Sequence, residues 1–199
     1  MDRHEEANGA YNPALLTLDR TMLRTLHPEF FGLAGCFGWA MQKALLRPSV
    51  LAVLARHLSI GDTRAAVVIK LTPLLIAAYT DELDAVAVMR AHPLCDPLVP
   101  KQIGARLLTV NTYWQDGDSH SDILDGPRST QVWRTFHPII PQFVSRDAER
   151  MRMLAGAIDE DEWERTEQLG RAWIDAFGAA RARDSRPGWS GVPIEEVRP

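Results

Sequence analysis

The sequence predicts an α+β fold: an antiparallel sheet of about four strands flanked by N-terminal and C-terminal helices. Residues 64–90, RAAVVIKLTPLLIAAYTDELDAVAVMR, are three short apolar runs cut by Thr72-Pro73 and by the acid-rich stretch 80–84. The first two runs are apolar on both alternating faces apart from Lys70 and Tyr79, the pattern of strands covered on both sides. The segments before and after carry apolar residues at helical spacing instead, so helices bracket the sheet.

At the N-terminal side, Asn12 followed by Pro13 reads as a helix start, a capping side chain and then a ring whose missing N–H has no helical partner to lose. Leu15, Leu16, Met22, Leu23 and Leu26 recur at helical spacing. The run stops at His27-Pro28, because a residue before proline is pushed out of helical dihedrals. A second helix is predicted over 28–46. Its Gly32, Gly35 and Gly38 each cost about 0.8–1.0 kcal/mol relative to alanine. That loss is recovered by close packing, or by a ligand or second subunit on the bare stripe. A third helix is predicted over 48–58, ending at Gly61.

Strands are predicted at 65–71, 74–79, 85–89 and 105–113. The few residues between the first three leave no room for a crossover helix, so these strands pair antiparallel, with a tight turn at 71–73. The fourth has Leu108 and Val110 on one face and Thr109, Asn111 and Tyr113 on the other, which makes one side polar. Residues 114–130 then form an Asp, Ser and Gly-rich loop of a length that is either mobile or functional.

Ser129 or Thr130 is expected to cap a short helix containing Val132, Trp133 and Phe136. Ser145 caps the next, through Ile158. Asp159 starts the last, through about Arg181, with Trp163, Thr166, Gly170, Trp173 and Phe177 in line. Glu160, Asp161 and Glu162 crowd its first turn, where the helix dipole favours negative charge. Residues 1–183 are thus predicted to be one globular domain and 184–199 an extended tail, with Trp189 as a possible anchor.

A chain of 199 residues with 46% hydrophobic and 24% charged residues has the balance of an ordinary globular domain. A net charge of −4, with Lys43, Lys70 and Lys101 as the only lysines, offers a polyanion no attraction, so nucleic acid is not expected as a partner. The N-terminus, MDRHEEANGAYNP, has acids and turn formers where a secretory signal has a basic start and an apolar core. The longest near-apolar stretch, 30–41, is shorter than the roughly 18–20 residues of a bilayer span. Cys36 and Cys95 are far apart, as suits reduced thiols. The expected setting is the cytoplasm, with no membrane partner.

The densest polar cluster is Asp116, Asp118, His120, Asp122 and Asp125. It is not an EF-hand, since the sixth position from Asp116 is Ser121 rather than glycine and the twelfth is Pro127 rather than glutamate. His120 with Asp118 or Asp122 makes an acid–base constellation, because a carboxylate orients an imidazole and raises its basicity. The alternative is a solvated loop. His92 and Cys95 lack the second ligand pair of structural zinc, so no metal and no cofactor are expected. No GxSxG, CxxC, HExxH or P-loop motif is present.

Arg128 and Ser129 would hold an anion if a helix begins there. Trp114 and Trp189 fall outside the helical patterns and are the tryptophans left for a ligand or an interface. The predicted function is a noncatalytic module that binds a small molecule or a protein partner through Asn111, Tyr113, Trp114, Arg128 and Ser129. One alternative is a hydrolase-like enzyme in which His120, Asp118 and Asp122 are catalytic. The other is a self-associating structural protein, a homo-oligomer packed through the tail or the glycine stripe.

Overall fold

The computed structural model of the chain describes residues 12–28, 31, 39–115, 121–123 and 125–187, with residues 39–49 described by their backbone alone. The fold is α+β. Three apolar runs become a meander: β1 (Asp62–Leu71), β2 (Leu74–Thr80) and β3 (Ala85–Arg90), joined by the expected short turns. β4 (Arg106–Trp114) returns antiparallel along the other side of β1, with Ala65 opposite Leu108 and Asp62 opposite Asn111.

Two short edge strands complete the sheet. β5 is Thr135–Ile139 and β6 is Arg183–Asp184, giving the order β5-β4-β1-β2-β3-β6. β6 runs parallel to β3, so the sheet is mixed. The expected helix around Val132 to Phe136 is therefore replaced by a bend and an edge strand. Pro138 is compatible with this, since proline is tolerated where the outer side of a strand needs no ladder bond. The first residues of the segment expected as an extended tail pair with the sheet edge. Asp184 is in β6, Ser185 is buried, and the Ser185 N–H donates to Arg90 O at 3.2 Å.

The N-terminal segment differs from its prediction. Pro13 bridges to Asp62, and Ala14, Leu15 and Leu16 are non-helical, Leu15 with a φ of 52°, and place their N–H groups on the carbonyls of Gly61, Ser59 and Leu58. Burial alternates along it: Ala14 and Leu16 are buried while Leu15 is exposed. The helix begins later, as α1 (Arg20–Leu26), because Asp19 is the better cap; its carboxylate accepts from the N–H groups of Thr21 and Met22 at 2.8 and 2.9 Å. It does stop before Pro28. The three glycines of the predicted second helix lie outside the described residues. α2 (Trp39–Ile60) is one helix that runs through Pro48 and ends at Gly61 as expected.

α3 (Ala148–Gly156) starts after Asp147 rather than at Ser145, whose hydroxyl instead accepts from the Asp147 N–H at 3.3 Å. α4 (Glu160–Phe177) follows Asp159 as predicted and lays Trp163, Thr166, Gly170 and Trp173 on the sheet. Gly170 is required there. A Cβ at this position would lie 2.6 Å from the Ala77 Cβ and 2.9 Å from Ile69 Cγ2, so the helix backbone rests directly on β1 and β2.

A second cluster lies on the opposite face: Leu83, Ala85, Ala87, Tyr113, Ile123 and Phe136. Ala85 and Ala87 belong to β3, whereas Tyr113 and Phe136 belong to β4 and β5, which are not neighbours of β3 in the ladder. Their side chains meet only because the sheet curls. The same curl brings the edge strands β5 and β6 towards each other, and the space between them is where the candidate site lies.

Candidate functional site

The C-terminal turn of α2 sets the site. Gly61 leaves no room for a side chain, since a Cβ would come within 2.6 Å of both His57 O and Val110 Cγ1; the helix end is thereby pressed against β4. His57 then reaches Val110 O with Nε2 at 2.8 Å, and its Nδ1 lies 3.2 Å from the Thr112 hydroxyl. A carbonyl only accepts, so Nε2 carries the proton and Nδ1 accepts from Thr112. Burial, with a smaller contribution from nearby His137, pushes the His57 pKa down to about 4 against the opposing pull of the Val110 bond. The imidazole is neutral at physiological pH.

His57 and Thr112 both line a cavity of about 190 Å³. Its apolar walls are Val53 and Leu54 from α2, Met89 from β3, and Pro138 and Ile139 from β5. Trp114 stands at the opening, half-exposed, with its ring 5.7 Å from the His137 ring in an edge-on arrangement. The far wall is Arg183 and Asp184 of β6, followed by Arg186.

Each guanidinium there has a carboxylate. Arg183, fully buried, donates Nε and Nη2 to the two oxygens of Asp122 at 3.0 and 2.7 Å. Its Nη1 has no hydrogen-bond partner among the described residues. Arg186 donates through Nε to Asp184 at 3.2 Å. The lining of the cavity is thus largely apolar and aromatic, with a few polar groups among the apolar ones.

The residues singled out in the sequence are distributed over three places. Trp114 is on the cavity. Asn111 and Tyr113, one position away on either side of Thr112, point to the other face of β4 and are buried. Asn111 Nδ2 donates to Tyr79 O at 2.7 Å, and its Oδ1 accepts from Thr109 at 2.8 Å. The Tyr113 hydroxyl accepts from Thr80 and donates to Asp62, both at 3.2 Å; burial, with the Asp62 charge, raises its pKa.

Arg128 and Ser129 lie instead over the turn between β2 and β3. The Arg128 N–H donates to Asp84 at 3.3 Å and the Ser129 hydroxyl to Glu82 O at 3.4 Å. Gly126 packs there so closely that a Cβ would sit 2.3 Å from Asp84 Oδ2. Burial pushes the Asp84 carboxyl up, but the two-pronged contact from Arg165, at 3.1 and 2.8 Å, and the Arg128 N–H outweigh it and hold the group below the ordinary range.

His120 and Asp118 lie outside the described residues. Asp122 is described and is committed: its carboxylate holds Arg183 and its carbonyl accepts the Trp173 indole N–H at 2.7 Å. Among the described residues no group of three or more His, Cys, Asp or Glu is placed to hold a metal ion, and no helix is long and apolar enough to cross a membrane.

Sequence reasoning missed His57, Thr112, His137 and the β6 arginine. They come from four elements, and no local spacing links them. The one available signal was negative: His57 is the polar residue that interrupts the apolar stripe of Leu51, Leu54 and Leu58. Comparison with known proteins adds no relative, since no family model, no curated protein and no solved structure matches the chain.

Proposed function

We propose that this protein binds a small, largely apolar molecule in the cavity between the two sheet edges and α2, without transforming it. The observation that carries this reading is the cavity itself. At about 190 Å³ it is larger than the roughly 150 Å³ apolar space that takes up benzene. Most of its walls are aliphatic and aromatic, and its charged groups are paired internally, with the Arg183 Nη1 as a donor that has no partner among the described residues. Pre-formed concave sites of this composition are the default places for small ligands.

The hydrolytic alternative has less support, since the Asp122 carboxylate is buried and both of its oxygens accept from Arg183. The binding reading is tested at the mouth of the cavity. Val53 is 64% exposed on α2, so Val53→Trp adds bulk over the opening without entering the core. Small aromatic probes detected by ligand-observed NMR should bind the parent protein and not this variant. Equal binding by both would sink the proposal.

A further inference from the structure

We infer that the cavity selects an aromatic molecule carrying a hydrogen-bond donor, a phenol O–H or an indole-type N–H, and that Thr112 accepts that bond. The inference rests on the cavity being a binding site, as proposed above. It follows from counting protons along one chain of hydrogen bonds.

Val110 O can only accept, so it takes the single proton of the neutral His57 imidazole at 2.8 Å. Nδ1 is then a lone pair, and the Thr112 hydroxyl, 3.2 Å away, spends its only proton on it. What remains of Thr112 for the cavity is an oxygen that accepts and cannot donate. Protonation of His57 would reverse the direction, but its pKa is held down to about 4 by burial. The acceptor character is therefore fixed at physiological pH.

An anion is disfavoured by the same accounting. Thr112 would present oxygen to oxygen, and the Arg183 and Arg186 charges are already balanced by Asp122 and Asp184, so the Arg183 Nη1, without a partner among the described residues, calls for no more than a neutral acceptor. An aromatic body is favoured by the walls. Trp114 and His137 offer ring edges and faces, and ring pairs gain energy beyond the area they bury. Met89 brings a thioether, which contacts aromatic rings favourably.

The test compares phenol with anisole and indole with 1-methylindole, by calorimetry or ligand-observed NMR, on the parent protein, Thr112→Val, Thr112→Ser and Val53→Trp. The donors should bind the parent about five- to tenfold more tightly than their methylated counterparts, the effect of one hydrogen bond at a partly buried acceptor. T112V should erase that ratio and T112S should keep it.

Methylated and parent probes binding the parent protein equally, with V53W still blocking all four, would overturn the Thr112 assignment while leaving the binding site standing. A ratio that persists in T112V overturns it too. No binding of any probe, or no effect of V53W, overturns both proposals. The parent-protein comparison needs no variant, so the inference is decided even if T112V does not fold.

Discussion

The two sides of β4 make an instructive pair. On one, Thr109, Asn111 and Tyr113 turn inward to Tyr79, Thr80 and Asp62, and every polar group there meets a protein partner. On the other, Thr112 and Trp114 meet α2 and β5 around an open space. The sequence makes the first side look like the functional one, because it is the more polar. Polarity alone does not tell a surface that waits for a ligand from one that the fold has already satisfied. What separates them is curvature: the sheet bends over the first side and closes it, while its two edges stop short of each other on the second.

Three measurements break or sharpen that contrast, and the largest effect is expected where the edges meet. Arg183→Met would leave the Asp122 carboxylate buried without its partner, a loss of about 3–5 kcal/mol. Urea unfolding reads it directly. A cost under about 1 kcal/mol would mean that the far wall of the cavity is not rigid and that the open side is less defined than described.

Next is the acid limb. The pKa of His57 is about 4 in the fold, against roughly 6.5 in an unfolded chain. Between those values the unfolded chain binds more protons, so stability is fully present above about pH 6.5 and declines as pH falls towards 4. The full effect is on the order of 3 kcal/mol. His57→Gln should flatten the stability profile over that window. An unchanged slope would show that the imidazole is not held neutral, and the assigned direction of the Thr112 bond would go with it.

The smallest stability effects give the cleanest contrast. Asn111→Ala removes the donor to Tyr79 O and should cost about 1–3 kcal/mol. It should leave phenol affinity where it was. Trp114→Ala, at a half-exposed position, should change stability by no more than about 0.5 kcal/mol yet weaken phenol binding several-fold. If Asn111→Ala altered binding as much as Trp114→Ala, the two sides would not be functionally distinct.

The meander was legible because its apolar runs are bounded by Thr72-Pro73 and the 80–84 acids, and because buried strands read as continuous hydrophobic stretches. α4 was legible from its spacing and its acidic first turn. The N-terminal helix starts later than Asn12-Pro13 predicts, at the Asp19 cap, which sequence reasoning does not single out. Both residues suit a cap, and only the pairing of 14–16 with the end of α2 decides between them. β5 and β6 were missed for a different reason. They are short, one contains a proline and the other begins with arginine, and their burial comes from tertiary contacts that leave no periodic trace.

The same holds for the site. Trp114 could be picked out because it stood apart from helical patterns. His57 and Arg183 could not, since a buried histidine and a buried arginine run against the usual order of burial and become intelligible only beside Val110 and Asp122. The acidic loop drew attention through its composition. The one catalytic candidate there that is described, Asp122, serves as an anchor for β6.

That anchor has a temporal consequence. One wall of the cavity comes from residues 183–186, and the opposite wall from α2, more than a hundred positions earlier. The cavity is therefore complete only once the β6 segment has joined the sheet, and a molecule held there would report that docking.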